Sequence, residues 1–142
     1  NSLGRIIFRF PNNFSVFLHD TSSPGAFGRD NRGVSHGCVR VQHPFELAKF
    51  LLGDDADEQL LDKLRISMGM KPETDWGRDL VDALDPAAPM PKLVSWLKVS
   101  PRVPLIISYY TIFLTPNGTL QYYPDVYSYD KVIRESLATY TQ

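Results

Sequence analysis

The chain has 142 residues, 43% hydrophobic and 12% aromatic, enough to build a core and consistent with one domain over residues 1–142. Its net charge is −1 and it has no basic run, so nothing in it offers a track for a nucleic-acid backbone. No apolar run approaches the roughly 18–20 residues of a membrane-spanning helix, no leader-like segment is visible from Asn1, and a single cysteine, Cys38, excludes an internal disulfide.

In chain order, Arg5 to Phe10 is apolar-rich and stops at the turn signal Pro11-Asn12-Asn13. Phe14 to Leu18 alternates, with Phe14, Val16 and Leu18 on one side and Ser15, Phe17 and His19 on the other. The two runs predict a hairpin with His19 at the exit of its second strand. Residues 21–33 read as a loop. His43-Pro44 opens a helix whose apolar face is Phe45, Ala48, Leu51 and Leu52, closed by Gly53. Asp54-Asp55 is the expected cap of a second helix carrying Leu60, Leu61 and Leu64 and ending near Gly69. Thr74 caps a short third helix with Trp76, Leu80 and Leu84, and the prolines of 85–91 mark a loop. Val103 to Leu114 is β-rich, Pro116-Asn117-Gly118 turns the chain, and Thr119 to Tyr123 returns as a strand. The expected class is α+β, a mostly antiparallel sheet with helices grouped after the cysteine.

The chemistry concentrates at Ser35-His36-Gly37-Cys38, separated from His19 by fifteen residues. A thiol becomes nucleophilic as the thiolate, so it needs a base or cation beside it. Cys38 is the candidate nucleophile, and the competing reading is a buried structural cysteine. His19, at a strand exit, is the candidate base; the competing reading is a histidine satisfied by a backbone carbonyl. His36 either orients the loop or lines a donor pocket. Gly37, without a Cβ, lets the amides of Gly37 and Cys38, with that of His36 as a further candidate, turn towards a developing oxyanion; the competing reading is an ordinary turn glycine. Ser35 reads as a loop-stabilising hydroxyl and His43 as a helix-start residue. Arg40, two residues past the cysteine, faces the same side. It either clamps a substrate carboxylate or braces the loop through backbone carbonyls, and the brace is the reading adopted. The late tyrosines, including Tyr109, Tyr122 and Tyr127, read as sheet packing rather than a sugar platform.

The pattern His19-x15-Ser35-His36-Gly37-Cys38-Val39-Arg40 resembles the active-site signature of the L,D-transpeptidase (YkuD-type) catalytic domain, in its large periplasmic branch. Val103-Pro104-Leu105, Tyr109-Tyr110-Thr111 and Asp125-Val126-Tyr127 carry the resemblance further, over roughly residues 4–52 and 103–130. It implies an α+β sheet or sandwich of that type, of which this chain is the C-terminal portion without the upstream strands. It implies a cysteine acyltransferase of the periplasm or cell envelope that needs no cofactor and no metal. Cys38 then attacks a peptidoglycan peptide stem at its third residue, a diamino acid, and the thioester passes to the side-chain amine of a neighbouring stem. Water as acceptor makes the enzyme an L,D-carboxypeptidase, and carbapenems acylate the same thiol. The resemblance also implies that the main-chain carbonyl of Asp20 holds the second nitrogen of His19. The Asp20 carboxylate is the alternative partner. Two other classes compete: a zinc site from His19, His36, Cys38 and His43, which lacks the usual ligand spacing, and a non-catalytic wall-binding domain of the same fold.

Overall fold

The computed structural model describes residues 3–33, 35 and 37–140. The chain divides into two compact units, Asn1–Val103 and Pro104–Gln142.

The first unit begins with a small sheet in the order β1 (Ile7–Phe8), β2 (Leu18–His19), β3 (Val39–Arg40). β1 and β2 are antiparallel, with Ile7 opposite His19 and Phe8 opposite Leu18. β2 and β3 are parallel, with Leu18 opposite Val39 and His19 opposite Arg40. The expected hairpin forms, but its strands are shorter than the β-prone runs. Asn12 is the reason. Its Nδ2 donates to the carbonyls of Phe10 at 3.0 Å and Val16 at 2.7 Å. Its Oδ1 accepts from the amides of Phe14 at 3.0 Å and Val16 at 3.1 Å. One side chain thereby takes the backbone groups that a longer ladder would have paired, and Phe14 is left exposed. The loop that follows contains a 3₁₀ turn at Pro24–Gly28.

Three helices follow the cysteine, as the patterning predicts. α1 (Pro44–Leu52) starts at Pro44, carries Glu46 in its first turn and Lys49 in its last, each of the sign that complements the helix dipole, and ends at Gly53. Its buried face is Phe45, Ala48 and Leu52. α2 (Glu58–Ser67) is capped by Asp57, whose carboxylate accepts from the Leu60 amide at 2.7 Å. The expected cap, Asp54-Asp55, instead lies in a 3₁₀ turn at Gly53–Asp55 that extends the end of α1. α3 (Asp75–Asp82) is capped by Thr74, as expected, through the Gly77 amide at 3.0 Å. Phe45, Leu52, Leu61 and Leu64 form the core, with Ile6, Leu60, Met68 and Val94 packed against it.

A polar joint ties α2 to α3. Asp62 has no exposed surface. One carboxylate oxygen accepts from Arg65 Nη1 and the Glu73 amide, both at 2.8 Å. The other accepts from the Thr74 amide at 2.9 Å and the Thr74 hydroxyl at 2.6 Å. Burial by itself would raise the Asp62 pKa, but these hydrogen bonds outweigh it and hold the carboxyl well below the usual carboxylate range. Gly77 makes the approach possible, because a Cβ there would run into the Asp62 carboxylate and Pro72.

In the second unit, β4 (Ile112–Leu114) and β5 (Leu120–Tyr122) form an antiparallel hairpin across the predicted Pro116-Asn117-Gly118 turn. The β-rich run from Val103 becomes strand only at Ile112, because β5 supplies three residues to pair with. α4 (Tyr129–Ala138) follows, a helix that the sequence patterning did not predict. Tyr109, Tyr127 and Tyr129 pack ring against ring, and the Tyr109 hydroxyl donates to Asp125 at 2.8 Å. The α+β class stands, with short antiparallel and parallel strand pairs and four helices.

Candidate active site

The parallel pairing of β2 with β3 builds the site. Paired residues in a parallel ladder present their side chains to the same face, and alternate residues along each strand share that face. His19 therefore shares a face with its partner Arg40. The Val39 amide donates to the Phe17 carbonyl at 3.1 Å, which extends the register back by one and aligns Cys38 with Phe17. Phe17, His19, Cys38 and Arg40 thus belong to one face of the sheet. The edge-on contact of the Phe17 and His19 rings, 6.5 Å between centroids, follows from the same alternation.

His19 is buried, with 4% of its surface exposed. Its Nδ1 makes a short hydrogen bond to the main-chain carbonyl of Asp20. A carbonyl only accepts, so Nδ1 carries a proton, and in the neutral imidazole Nε2 then holds the lone pair. Of the two partners considered for this ring, the carbonyl is the one that it meets. The Asp20 carboxylate is engaged elsewhere: it accepts from the amides of Arg5 at 2.9 Å and Thr21 at 2.7 Å. The Asp20 carboxylate thus secures the backbone near His19 and is not the partner of its ring.

Cys38 is a free, partly buried thiol. Ser35 holds the turn in front of it. Its hydroxyl donates to the Cys38 carbonyl at 2.6 Å and accepts from the Gly37 amide at 3.2 Å. Gly37 has φ +135, in the region that favours glycine, and a Cβ there would press on Val16 Cγ2 at 3.1 Å. The Gly37 amide is thus already paired. Of the two amides expected to receive an oxyanion, only that of Cys38 has no hydrogen-bond partner among the described residues. The proposed roles of His36 fall on a residue outside those described.

Arg40 shares the face of its strand partner His19. The brace called for its guanidinium to bond backbone carbonyls of the neighbouring loop. Among the described residues it has no such partner, and its Nε is buried and unpaired. His43 stands at the start of α1 without a side-chain capping bond. No group of three or more histidine, cysteine or carboxylate side chains among the described residues is arranged to hold a metal ion.

The sequence reading passed over Arg9, Phe17 and Trp96. Arg9 lies opposite Phe17 in the continued β1–β2 register, and its guanidinium carbon sits 5.7 Å from the Phe17 ring centroid and 5.2 Å from that of Trp96. The alternation that puts Phe17 in phase with His19 was visible in the sequence. The arrival of Trp96 was not.

Residues 1–66 match the family model described as YkuD, the L,D-transpeptidase catalytic domain. A Haemophilus influenzae protein named "Putative L,D-transpeptidase" is 29% identical over 133 residues, which make up 94% of this chain and 22% of that protein. The chain thus spans about a fifth of the length of the curated relative that it matches. The resemblance carried by the His19 to Arg40 signature stands on both comparisons. The family match stops at residue 66, and the likeness over 103–130 rests on the longer alignment. No helix among the described residues is long and apolar enough to cross a membrane.

Proposed function

We propose, from the match of residues 1–66 to the L,D-transpeptidase catalytic domain, that this chain carries the cysteine centre of a peptidoglycan L,D-transpeptidase acting in the periplasm or cell envelope. The observation that supports this most directly is the pairing of His19 Nδ1 with the Asp20 carbonyl, on the sheet face that His19 shares with Cys38. That bond leaves Nε2 as the proton acceptor.

In the proposed reaction His19 Nε2 takes the Cys38 proton, and the thiolate attacks the carbonyl of the third residue of a tetrapeptide stem. Negative charge moves onto the carbonyl oxygen, where the Cys38 amide is available to receive it. The Asp20 carbonyl meanwhile stabilises the imidazolium. His19 returns the proton to the departing amine of the terminal D-alanine, and the C–N bond breaks to leave a thioester. The side-chain amine of a diamino acid on a second stem then attacks the thioester, gives up a proton to His19 and releases Cys38. The product is a cross-link between third residues. Water in the acceptor's place gives the L,D-carboxypeptidase outcome. Arg40, which shares the sheet face of His19, either clamps a substrate carboxylate or braces the loop.

Intact-protein mass spectrometry after exposure to a carbapenem tests the centre. One adduct per chain is expected, absent from Cys38→Ala. An adduct that persists in Cys38→Ala, or none on the folded wild-type chain, defeats the proposal.

A further inference from the structure

Arg9 is held in an unusual way for an exposed cation. Its guanidinium carbon lies over two rings, 5.7 Å from the centroid of Phe17 and 5.2 Å from that of Trp96. Stacking on aromatic faces leaves the edge of the guanidinium, with its N–H donors, pointing outwards in a fixed plane. Among the described residues that edge has no hydrogen-bond or ion-pair partner. Trp96 is 73% exposed, so the upper ring is itself open to a ligand.

The sheet ties this stack to the reacting face. Arg9 aligns with Phe17 across β1–β2, and Phe17 aligns with Cys38 across β2–β3. Arg9 and Cys38 are therefore in one row on one face, two interstrand spacings or about 10 Å apart at the backbone. An extended peptide covers that distance in about three residues. A planar, pre-oriented fork is the group best matched to a carboxylate, because two parallel N–H donors meet its two oxygens.

We propose that the Phe17–Arg9–Trp96 stack is a carboxylate-recognition subsite that reads an internal carboxylate of a peptide stem lying across the sheet towards Cys38. The inference rests on the transpeptidase reading for the identity of the peptide, while the anion recognition stands on the stack alone. Arg9 sets selectivity for stems with a free internal carboxylate over stems in which it is an amide. Phe17 and Trp96 are positioning residues that hold the fork in plane.

The test measures dissociation constants of two synthetic tetrapeptide stems on the full chain. One carries free internal carboxylates; the other has them amidated, with its terminal carboxylate kept. Trp96 fluorescence is the readout, in a Trp76→Phe background. The free-carboxylate stem is expected to bind at least tenfold more tightly. That ratio collapses towards one in Arg9→Gln and is only partly retained in Arg9→Lys, which keeps the charge and loses the fork. An unchanged ratio in Arg9→Gln, a ratio near one in the wild type, or no binding of either stem overturns the subsite. Carbapenem acylation of Cys38, followed on the same samples, separates the two claims. Selectivity without acylation upholds the subsite and sinks the transpeptidase reading; acylation without selectivity does the reverse.

Discussion

Replacing Asp62 by asparagine changes one atom and tests the joint between α2 and α3. The carboxylate accepts four hydrogen bonds, two at each oxygen. Asparagine keeps one oxygen and turns an NH₂ group towards the other pair of donors. If that group faces Arg65 and the Glu73 amide, neither donor can become an acceptor. If it faces Thr74, the hydroxyl can rotate but the amide cannot. Hydrogen bonds to a charged group contribute about 1.5–3 kcal/mol each, and removing one partner of a buried ion pair costs about 3–5 kcal/mol. Arg65, with 3% of its side chain exposed, retains only Glu73 and the more distant Glu58 as acidic partners. An expected loss of about 3–5 kcal/mol is a large share of the roughly 5–15 kcal/mol that stabilises a typical domain. Urea unfolding followed by tryptophan fluorescence measures it, with Trp76 in α3 as the local reporter. For a slope near 2 kcal/mol/M, the midpoint falls by about 2 M. Glu73→Gln is the control: its side chain is 68% exposed, so its pair with Arg65 contributes no more than about 1 kcal/mol. A midpoint shift under about 0.5 M for Asp62→Asn, with unchanged slope, would refute the reasoning.

Two other outcomes follow from the same geometry. Gly37→Ala forces a side chain into a positive-φ position against Val16, at a cost of about 1–3 kcal/mol; thermal unfolding and the rate of Cys38 alkylation by iodoacetamide should both change, and wild-type values for both count against the turn as described. Because the folded pKa of Asp62 is depressed, its contribution to stability is present above the unfolded value of about 3.9 and is lost as pH falls from there towards the folded value. Urea midpoints of the wild type should therefore fall steeply below about pH 4, and those of Asp62→Asn more gently; parallel profiles would contradict this.

Local chemistry made much of the site readable. His19 lies on the second strand of the predicted hairpin, and the Asp20 carbonyl is where the resemblance puts the partner of its ring. Helix ends were legible wherever a single residue marks them, as at Pro44, Gly53 and Thr74. The cap of α2 was misplaced because Asp54, Asp55 and Asp57 are chemically equivalent candidates, and a 3₁₀ extension of α1 consumed the first two. α4 follows Ser128, a cap residue by type that the sequence reading passed over, and in the structure Ser128, at φ 58, makes no side-chain cap. The carboxylate that receives the Asp130 amide, at 2.7 Å, is Asp125, several residues upstream. For Arg40, strand alternation gives the face of the side chain and not the acceptors that it meets, and its Nε has no partner among the described residues. Trp96 meets Arg9 through tertiary packing across 87 positions of sequence, for which no local pattern exists.

The bond between His19 and the Asp20 carbonyl also sets what side-chain mutagenesis can detect. Every amino acid brings the same carbonyl to position 20, so a scan that truncates side chains passes over the group that orients the His19 ring. The anchors of that carbonyl are reachable, however. The Asp20 amide donates to the Ile6 carbonyl at 3.0 Å, and its carboxylate ties the Arg5 and Thr21 amides. Gly4 leaves room for that carboxylate, since a Cβ there would overlap it. A fault in the orientation of the base would thus be inherited from residues 4–6, a segment with no acid–base chemistry of its own, and its kinetic signature would be that of a damaged histidine in a protein whose histidine is intact.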